Sequence, residues 1–306
     1  LAARQATVSS NVQILAEIVD AHKLSLNEII ERAAYYKAQG ASVIDLGGPV
    51  KGSIPNVGEI VATLKGLGYK VSLDTFDEAT ALEADKSGID LYLSVNGSNM
   101  EMARKMSCPV VVIPDFEDKT VSSLVKNAER LQEMGKSYIV DPVLDPLPFG
   151  LAGSIHRFVE YKARYPEDEM LMGTGNLTEL TEADSTGINA LLLGICVELN
   201  VNYVLTTEVV SWARGAVREA HLAGMLNESA KQSGVLPKGF GFGLVTAKDL
   251  PFESYSEEEI VNIHKNVTDK NFRIFVIDDY IYVFNSSIFL KGKEAGELFA
   301  KLDVSD

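Results

Sequence analysis

Four short segments of this sequence place an acid or an amide at the end of a predicted strand. The segments SLDTF, LSVNGSN, YIVDP and MGTGN carry Asp74, Asn96, Asp141 and Asn176. In a parallel β-barrel the carboxyl ends of the strands converge on one mouth, where such folds do their chemistry. Carboxylates and amides gathered there can recognise the donor and acceptor pattern of a flat heterocycle. The four segments therefore predict a binding site for a ring such as a pterin or a purine.

Two other predicted strand ends carry groups that could assist a ligand. SVIDLGG places Asp45 before a double glycine, which allows either a close backbone approach to a ligand or a tight turn. AEIVDAH places Glu17 and Asp20 near the end of the first strand, with His22 just beyond. Carboxylate oxygens are the ligands that Mg2+ prefers, so Glu17 and Asp20 are candidate metal ligands. A lone histidine near a loop is more often structural.

These groups need a set of strands to position them, and the chain alternates apolar strand-type runs with amphipathic helical runs. The predicted strands cover residues 12–18, 42–46, 70–74, 89–95, 109–115, 137–141, 170–173 and 202–207. The predicted helices cover residues 25–39, 56–67, 77–87, 98–106, 120–135, 151–164, 184–199 and 211–231. Eight βα units in succession predict an α/β protein with a (β/α)8 TIM barrel. An open doubly wound sheet is the alternative, but the glycine fingerprint of the Rossmann fold does not follow the first strand.

The character of the sequence changes after residue 231, which predicts a barrel over 1–231 and a small α+β extension over 232–306. Residues 231–251 are rich in glycine and proline. Their GFGFG run could cradle a phosphate, but a connecting role is favoured because no helix start with Lys-Ser or Lys-Thr follows. A helix capped by Ser256, a hairpin around Asp278-Asp279 and a last helix in KGKEAGELFAKL are predicted for the extension.

Composition narrows the classes of function. A net charge of −15, from 28 basic and 43 acidic residues, disfavours binding to a nucleic-acid backbone. No apolar run is long enough to span a bilayer and the first residues lack a secretory pattern, so we expect a cytoplasmic protein with no membrane partner. Cys108 and Cys196 lie in apolar contexts that predict buried thiols. The start at Leu1 predicts a fragment or a processed chain.

The order of these segments resembles the pterin-binding barrel family, which includes dihydropteroate synthase and the methyltetrahydropterin-dependent corrinoid methyltransferases. The resemblance spans roughly residues 11–231 and rests on GASVIDLGG, VSLDTF, the fourth-strand asparagine and VDPVLDPLPFG. It implies that Asp74, Asn96 and Asp141 hold a small-molecule pterin. It also implies that Asn176, in GTGN, lies near the pterin N5 as in the methyltransferases. A helix cap is the alternative role for Asn176.

The sequence departs from the synthases at three cationic positions. Pro49-Val50-Lys51 stands where they have Ser-Thr-Arg, GTGNLTE where they have Ser-Arg-Lys, and TTEVV where they have Arg-x-His. In the synthases these cations stabilise a departing pyrophosphate. Lys51 and Arg214, with Arg218 on the same predicted helix, are the candidate replacements, although solvated helix-face charges explain the two arginines as well.

Within the family, GTGNLTELTEADSTGINALL and the NFRIFV and IYVFN segments resemble archaeal and methylotroph dihydropteroate synthase-like proteins associated with tetrahydromethanopterin biosynthesis. This resemblance implies a transferase that joins a hydroxymethyl-pterin pyrophosphate to an arylamine. Mg2+ is a candidate cofactor and a homodimer the expected assembly. Methyl transfer from a methyl-pterin to a corrinoid protein partner is the alternative activity, and pterin binding without turnover is a third function.

Overall fold

The computed structural model of the protein describes residues 10–245, 255–277 and 280–302. By its internal contacts the chain divides into two units, residues 1–246 and residues 247–306, so residues 232–246 group with the first unit. The predicted turn at Asp278-Asp279 lies outside the described residues.

The first unit contains eight strands that alternate with helices. The strands are Gln13–Ile18 (β1), Val43–Gly47 (β2), Lys70–Asp74 (β3), Leu91–Val95 (β4), Val110–Val112 (β5), Tyr138–Val140 (β6), Leu171–Gly173 (β7) and Tyr203–Thr206 (β8). The helices are Leu26–Ala38 (α1), Val57–Gly66 (α2), Glu78–Lys86 (α3), Met100–Lys105 (α4), Val121–Glu133 (α5), Leu151–Arg164 (α6), Gly175–Thr178 (α7), Ser185–Leu199 (α8) and Ala216–Ser233 (α9).

All eight predicted strands and helices are present, and β3 and α6 have the predicted bounds. The last predicted helix, over 211–231, begins later than expected. A short 3-10 turn over Ser211–Ala213 comes first, and Gly215, whose φ of 91° lies outside the helical region, separates it from α9. The one-turn helix α7 was not predicted.

The eight strands form one parallel sheet in the order β6-β5-β4-β3-β2-β1-β8-β7. A parallel bridge between Val140 and Met170 joins the two end strands. The sheet thus closes into the predicted (β/α)8 barrel, and the carboxyl ends of all eight strands open on one mouth.

Alternation along the strands separates the interior of the barrel from the layer under the helices. Apolar inward side chains fill the interior, namely Leu15, Val43, Leu91, Leu93, Val111, Ile139 and Leu171. Because side chains alternate with a period of two, the next inward position toward the mouth is two residues later. In three strands that position holds an acid: Glu17 follows Leu15, Asp45 follows Val43, and Asp141 follows Ile139. The apolar interior therefore supports an acidic layer at the mouth.

The two cysteines lie in the first unit, free and buried as predicted. Burial raises the pKa of the Cys108 thiol to about 12 and shifts that of Cys196 upward as well. Both side chains therefore serve as small apolar groups at neutral pH.

The second unit has its own small core. Its elements are Glu257–Lys265 (α10), Arg273–Ile277 (β9), Tyr280–Phe284 (β10), Phe289–Gly292 (β11) and Ala295–Phe299 (α11). The predicted cap is confirmed, because Ser256 and Glu259 form a capping box at the start of α10. The predicted hairpin is the antiparallel pair of β9 and β10. The predicted final helix is shorter than expected, because β11 takes part of its segment.

Over the ranges that the structure describes, no helix is both long enough and apolar enough to cross a membrane.

Candidate functional site

A row of polar side chains crosses four adjacent strands at the mouth of the barrel. The strand register pairs Glu17 on β1 with Asp45 on β2, and Asp45 with Ser72 on β3. On the other side, Ala16 pairs with Thr206, so the next position aligns Glu17 with Thr207 at the end of β8. Residues in register on a parallel sheet face the same side. The row thus brings two carboxyl groups and two hydroxyl groups to one face.

Asp74 ends β3 one step above this row and lines a cavity of about 160 Å³. Its neighbours around that cavity come from β1, from the loop after β2 and from the loop after β3, namely Glu17, Gly47, Gly48, Pro49, Val50, Thr75 and Phe76. Burial raises the pKa of Asp74, while a hydrogen bond from Ser94 acts against the shift. Pockets that enclose drug-sized ligands measure roughly 300–1,000 Å³, so this cavity suits one small ring system.

Asn96 presents a donor without a protein partner. Its Oδ1 accepts hydrogen bonds from Ser98 N (2.9 Å) and Ser98 Oγ (2.6 Å). Its Nδ2 is buried and has no partner among the described residues. A buried amide without a partner costs about 1–3 kcal/mol, so it is a natural donor for a ligand acceptor.

The loop that carries Asn96 is held by a neighbouring strand. Asp115, just after β5, accepts hydrogen bonds from Gly97 N at 2.8 Å and Asn127 Nδ2 at 2.9 Å. Before the loop, the register between β4 and β5 shifts, and Ser94 has a φ of 69°. Such irregularities are frequent beside functional sites, where they redirect side chains.

Asp141 follows β6 and is almost fully buried. Burial raises its pKa to about 7, against the lowering effects of a hydrogen bond from Val143 N and of the Arg157 charge. That hydrogen bond measures 2.7 Å, and Val143 has a φ of 64°, which is rare for a β-branched residue. A Cβ on Gly173 would lie 4.0 Å from Asp141 Oδ2, so the carboxyl group lies beside the end of β7.

Asp145, the second acid of the same segment, has a different environment. It accepts hydrogen bonds from Lys119 Nζ (2.7 Å) and Arg157 Nη2 (2.8 Å). These cations lower the pKa of Asp145 despite the opposing effect of burial. Asp145 is therefore a structural ion-pair partner, in contrast to Asp141.

Asn176 lies on α7, directly after β7, and its Nδ2 donates to the carbonyl of Leu144 at 2.6 Å. It does not cap α7, because the residue before that helix is Thr174. The contact connects the ends of β6 and β7 and so places Asn176 near Asp141. The electrostatic interaction between Asp74 and Asp141 connects the same region to β3.

Glu17 lies over Gly47, with its Oε1 in the space that a Cβ on that glycine would occupy. Burial raises the pKa of Glu17 to about 7, and neighbouring acids reinforce the shift, namely Asp74, Glu179 and Asp20. Asp20 is bound to Lys23 through a 2.6 Å ion pair. Within the described ranges, no group of three or more His, Cys, Asp or Glu side chains could hold a metal. Glu17 and Asp20 therefore do not fit a metal centre, and the use of Mg2+ stays a prediction.

The two candidate anion-binding residues lie apart. Lys51 is exposed in the loop after β2, beyond the residues of that loop that line the cavity at Asp74. Arg214 lines a different surface cavity of about 460 Å³ with Arg32 and Tyr35 of α1 and Glu208. Glu208 accepts hydrogen bonds there from Tyr35 Oη and from the backbone of Val217, both at 3.1 Å. A carboxylate thus already occupies the start of α9.

Several groups at the mouth were not expected from the sequence. Thr207 is buried and its hydroxyl has no partner within the described part of the chain. A Cβ on Gly175 would lie 3.3 Å from Thr207 Cγ2 and 3.9 Å from Glu179 Cδ, so these side chains are neighbours. Thr207 was at the end of a predicted strand, so alternation could have identified it. Glu179 could not be found in this way, because α7 was not predicted.

The fold and this mouth define a (β/α)8 barrel protein with an acid-rich ligand site. The sequence matches no family model. It is 31% identical over 263 residues to an uncharacterized protein of Methanocaldococcus jannaschii. The match covers 79% of this chain and 50% of that protein, so the chain spans about half the length of the curated relative that it matches.

Solved structures of dihydropteroate synthases share the barrel. The Yersinia pestis enzyme with a pterine-sulfa conjugate has a TM-score of 0.56 at 17% identity, over 72% of this chain and 94% of that one. The Thermus thermophilus enzyme in complex with 6HMPPP has a TM-score of 0.55 at 21% identity, also over 72% and 94%. The Burkholderia cenocepacia enzyme complexed with 7,8-dihydropteroate has a TM-score of 0.53 at 16% identity, over 73% and 92%. At these identities the likeness shows the fold.

Proposed function

We propose that this chain binds a pterin in the mouth of its barrel and, as a dihydropteroate synthase-like transferase, joins a hydroxymethyl-pterin pyrophosphate to an arylamine. The observation that carries the proposal is the arrangement of Asp74, Asn96 and Asp141 at the ends of β3, β4 and β6. Two carboxyl groups can accept hydrogen bonds from the amino and ring N–H groups of a pterin. The unpartnered amide of Asn96 can donate to a ring acceptor.

The proposed reaction needs positioning and electrostatic stabilisation rather than a covalent nucleophile. The arylamine nitrogen attacks the methylene carbon of the pterin while the C–O bond to pyrophosphate breaks. Carboxylates around the ring stabilise the positive charge that develops on the pterin side of that bond. We assign the leaving group to Lys51 in preference to Arg214, because residues 49 and 50 of the same loop line the cavity at Asp74.

The likeness of the barrel to dihydropteroate synthases, one of them in complex with 6HMPPP, supports this activity by analogy of fold. Tetrahydromethanopterin biosynthesis is the pathway that we propose, on the sequence resemblance described above. The homodimer, the cytoplasmic location and the use of Mg2+ stay predictions. None of them is needed for the ring-binding arrangement.

Methyl transfer from a methyl-pterin to a corrinoid protein is the second candidate function. The observation that favours it is the amide of Asn176 at the end of β7, held by Leu144 beside Asp141. An uncharged amide can hydrogen-bond a pterin nitrogen without attracting an anionic leaving group. Pterin binding without turnover is the third function, and it requires the same ring contacts.

Calorimetry with a pterin, its pyrophosphate and a methyl-pterin separates these functions. Tighter binding of the pyrophosphate, with product formed from 4-aminobenzoate, is the result expected for the synthase. Tight binding of the methyl-pterin, with no gain from pyrophosphate, would favour methyl transfer. Pterin binding without product in either assay would favour the binding protein. Absence of binding to all three ligands would overturn the pterin site itself.

A further inference from the structure

Ring binding by Asp74, Asn96 and Asp141 leaves Glu17 without a role. Its carboxyl group lies on the wall of the cavity at Asp74, over Gly47, where a larger residue would displace it. It therefore faces the space next to the proposed ring rather than the apolar interior of the barrel. A buried acid on a ligand cavity is a candidate for proton transfer when it is within reach of the reacting group.

We propose that Glu17 accepts the proton that the arylamine loses as the new C–N bond forms, a role that rests on the synthase reaction proposed above. The amine nitrogen forms a bond to the methylene carbon, and the C–O bond breaks so that pyrophosphate leaves with the electron pair. The N–H proton moves to the carboxylate of Glu17, which leaves a neutral secondary amine. Water then takes the proton from Glu17 before the next turnover.

The other acids of the mouth are less suited to this role. Asp45 is completely buried, and its Oδ1 accepts a 2.5 Å hydrogen bond from Ser72 Oγ. Asp141 accepts a hydrogen bond from Val143 N and lies at β6, on the side of the ring contacts. Glu17 lines the cavity through a side chain two carbons away from its strand, which gives it reach toward a second ligand.

The surroundings of Glu17 favour proton uptake. Ionisable groups face it from its own loop, from α1, from the two neighbouring strands and from α7, namely Asp20, Tyr36, Asp45, Asp74 and Glu179. All of them are acids or a phenol, so each negative charge among them disfavours ionisation of Glu17. Together with burial this raises the pKa of Glu17 to about 7. A base with a pKa near the working pH is effective in general base catalysis.

The test compares Glu17→Gln with wild type and with the exposed control Glu182→Gln, using a hydroxymethyl-dihydropterin pyrophosphate and 4-aminobenzoate. Glutamine keeps the shape of the side chain but cannot accept the proton at neutral pH. We expect pterin affinity within about threefold of wild type and a kcat lower by roughly 10²–10⁴-fold, the usual contribution of a positioned acid or base. The rate of wild type should rise with pH through about 7, and Glu17→Gln should lose this rise.

Two further variants separate position from folding. Glu17→Asp keeps a base and should recover part of the rate that Glu17→Gln loses. Gly47→Ala places a methyl group where the Glu17 carboxyl lies, so it should lower kcat while the carboxyl group is still present. Melting temperatures of all variants identify any loss of folding.

The outcomes distinguish this role from the proposed function. If wild type forms product and Glu17→Gln keeps kcat within threefold, or keeps the rise with pH, the role of Glu17 is overturned while the synthase stands. If wild type binds no pterin or forms no product, the synthase is overturned and the role of Glu17 with it. A loss of rate in Glu17→Gln that Glu17→Asp partly restores, with pterin affinity retained, supports the proposal.

Discussion

At the scale of single residues, the partners of an acid determine its role. Asp141 and Asp145 belong to the same DPVLDP segment, but Lys119 and Arg157 bind Asp145 and lower its pKa. Asp141 is buried, with the pKa raised, so it needs a ligand to compensate its charge. The sequence predicted Asp141 as the ligand-binding acid from its place at the strand end. The two cations that distinguish Asp145 come from distant segments and could not be assigned from the sequence.

Replacing Asp141 by asparagine tests its contact with the ring. Asparagine can still accept the hydrogen bond from Val143 N, but it lacks the charge that pairs with pterin N–H groups. Hydrogen bonds to charged groups contribute roughly 1.5–3 kcal/mol, so we expect Asp141→Asn to weaken pterin binding about 10–100-fold. Isothermal calorimetry measures the effect, and the exposed Asp118→Asn is the control. Equal affinity in Asp141→Asn and Asp118→Asn would place the ring elsewhere.

The same substitution should change the dependence of stability on pH. The pKa of Asp141 rises from 3.8 to about 7 on folding, so between these values the native state holds a proton that the unfolded chain has released. Stability from this group is therefore complete below pH 4 and decreases as pH rises to about 7, by an amount on the order of 4 kcal/mol. Without ligand, Asp141→Asn should melt above wild type at pH 8, and this difference should shrink toward pH 5. Thermal melts monitored by circular dichroism measure it, and a constant difference across this range would contradict the burial of a titrating Asp141.

At the scale of elements, apolar periodicity was sufficient to predict the barrel, and side-chain neighbours across strands were not. The strand VSLD and the helix LAGSIHRFVEYKAR have the predicted bounds because their patterns are long or sharply ended. The helix α7 was missed because four residues that include glycine carry no periodic signal. The position of Glu17 over Gly47 depends on the register of β1 and β2, which a single sequence does not specify.

The loop after β4 should depend on a side chain of α5. Asn127 is buried and donates to Ile113 O at 3.2 Å and to Asp115 Oδ1, which in turn holds Gly97. Asn127→Ala leaves these acceptors without their donor, a change that costs about 1–3 kcal/mol of stability. We also expect weaker pterin binding, because Asn96 is part of the loop. Urea unfolding and calorimetry measure the two effects, with Ser122→Ala on the exposed side of α5 as control. Unchanged affinity despite lower stability would show that the loop holds Asn96 without this network.

At the scale of the whole molecule, the chain has two units with separate apolar clusters. The strands of the barrel and every residue of the proposed site lie within residues 1–246. The second unit has a core of Ile260, Tyr282 and Phe284, with further aromatic rings packed against it. Phe275 and Phe284 stack with ring centroids 5.6 Å apart. The cores are the parts of each unit that should resist local opening.

Two phenylalanines of the second unit provide a matched comparison of core and surface. Phe284 is completely buried, whereas Phe299 is 62% exposed. Phe284→Ala should destabilise the second unit by about 3–5 kcal/mol, because it removes a large side chain and leaves a cavity. Phe299→Ala should cost well under 1 kcal/mol, as is usual for surface substitutions. Hydrogen exchange measures the effect: Phe284→Ala should lose amide protection in β9, β10 and α10, and the strands of the barrel should keep theirs. If the barrel strands lose protection equally, the two units do not unfold separately and the division of the chain near residue 246 has no energetic counterpart.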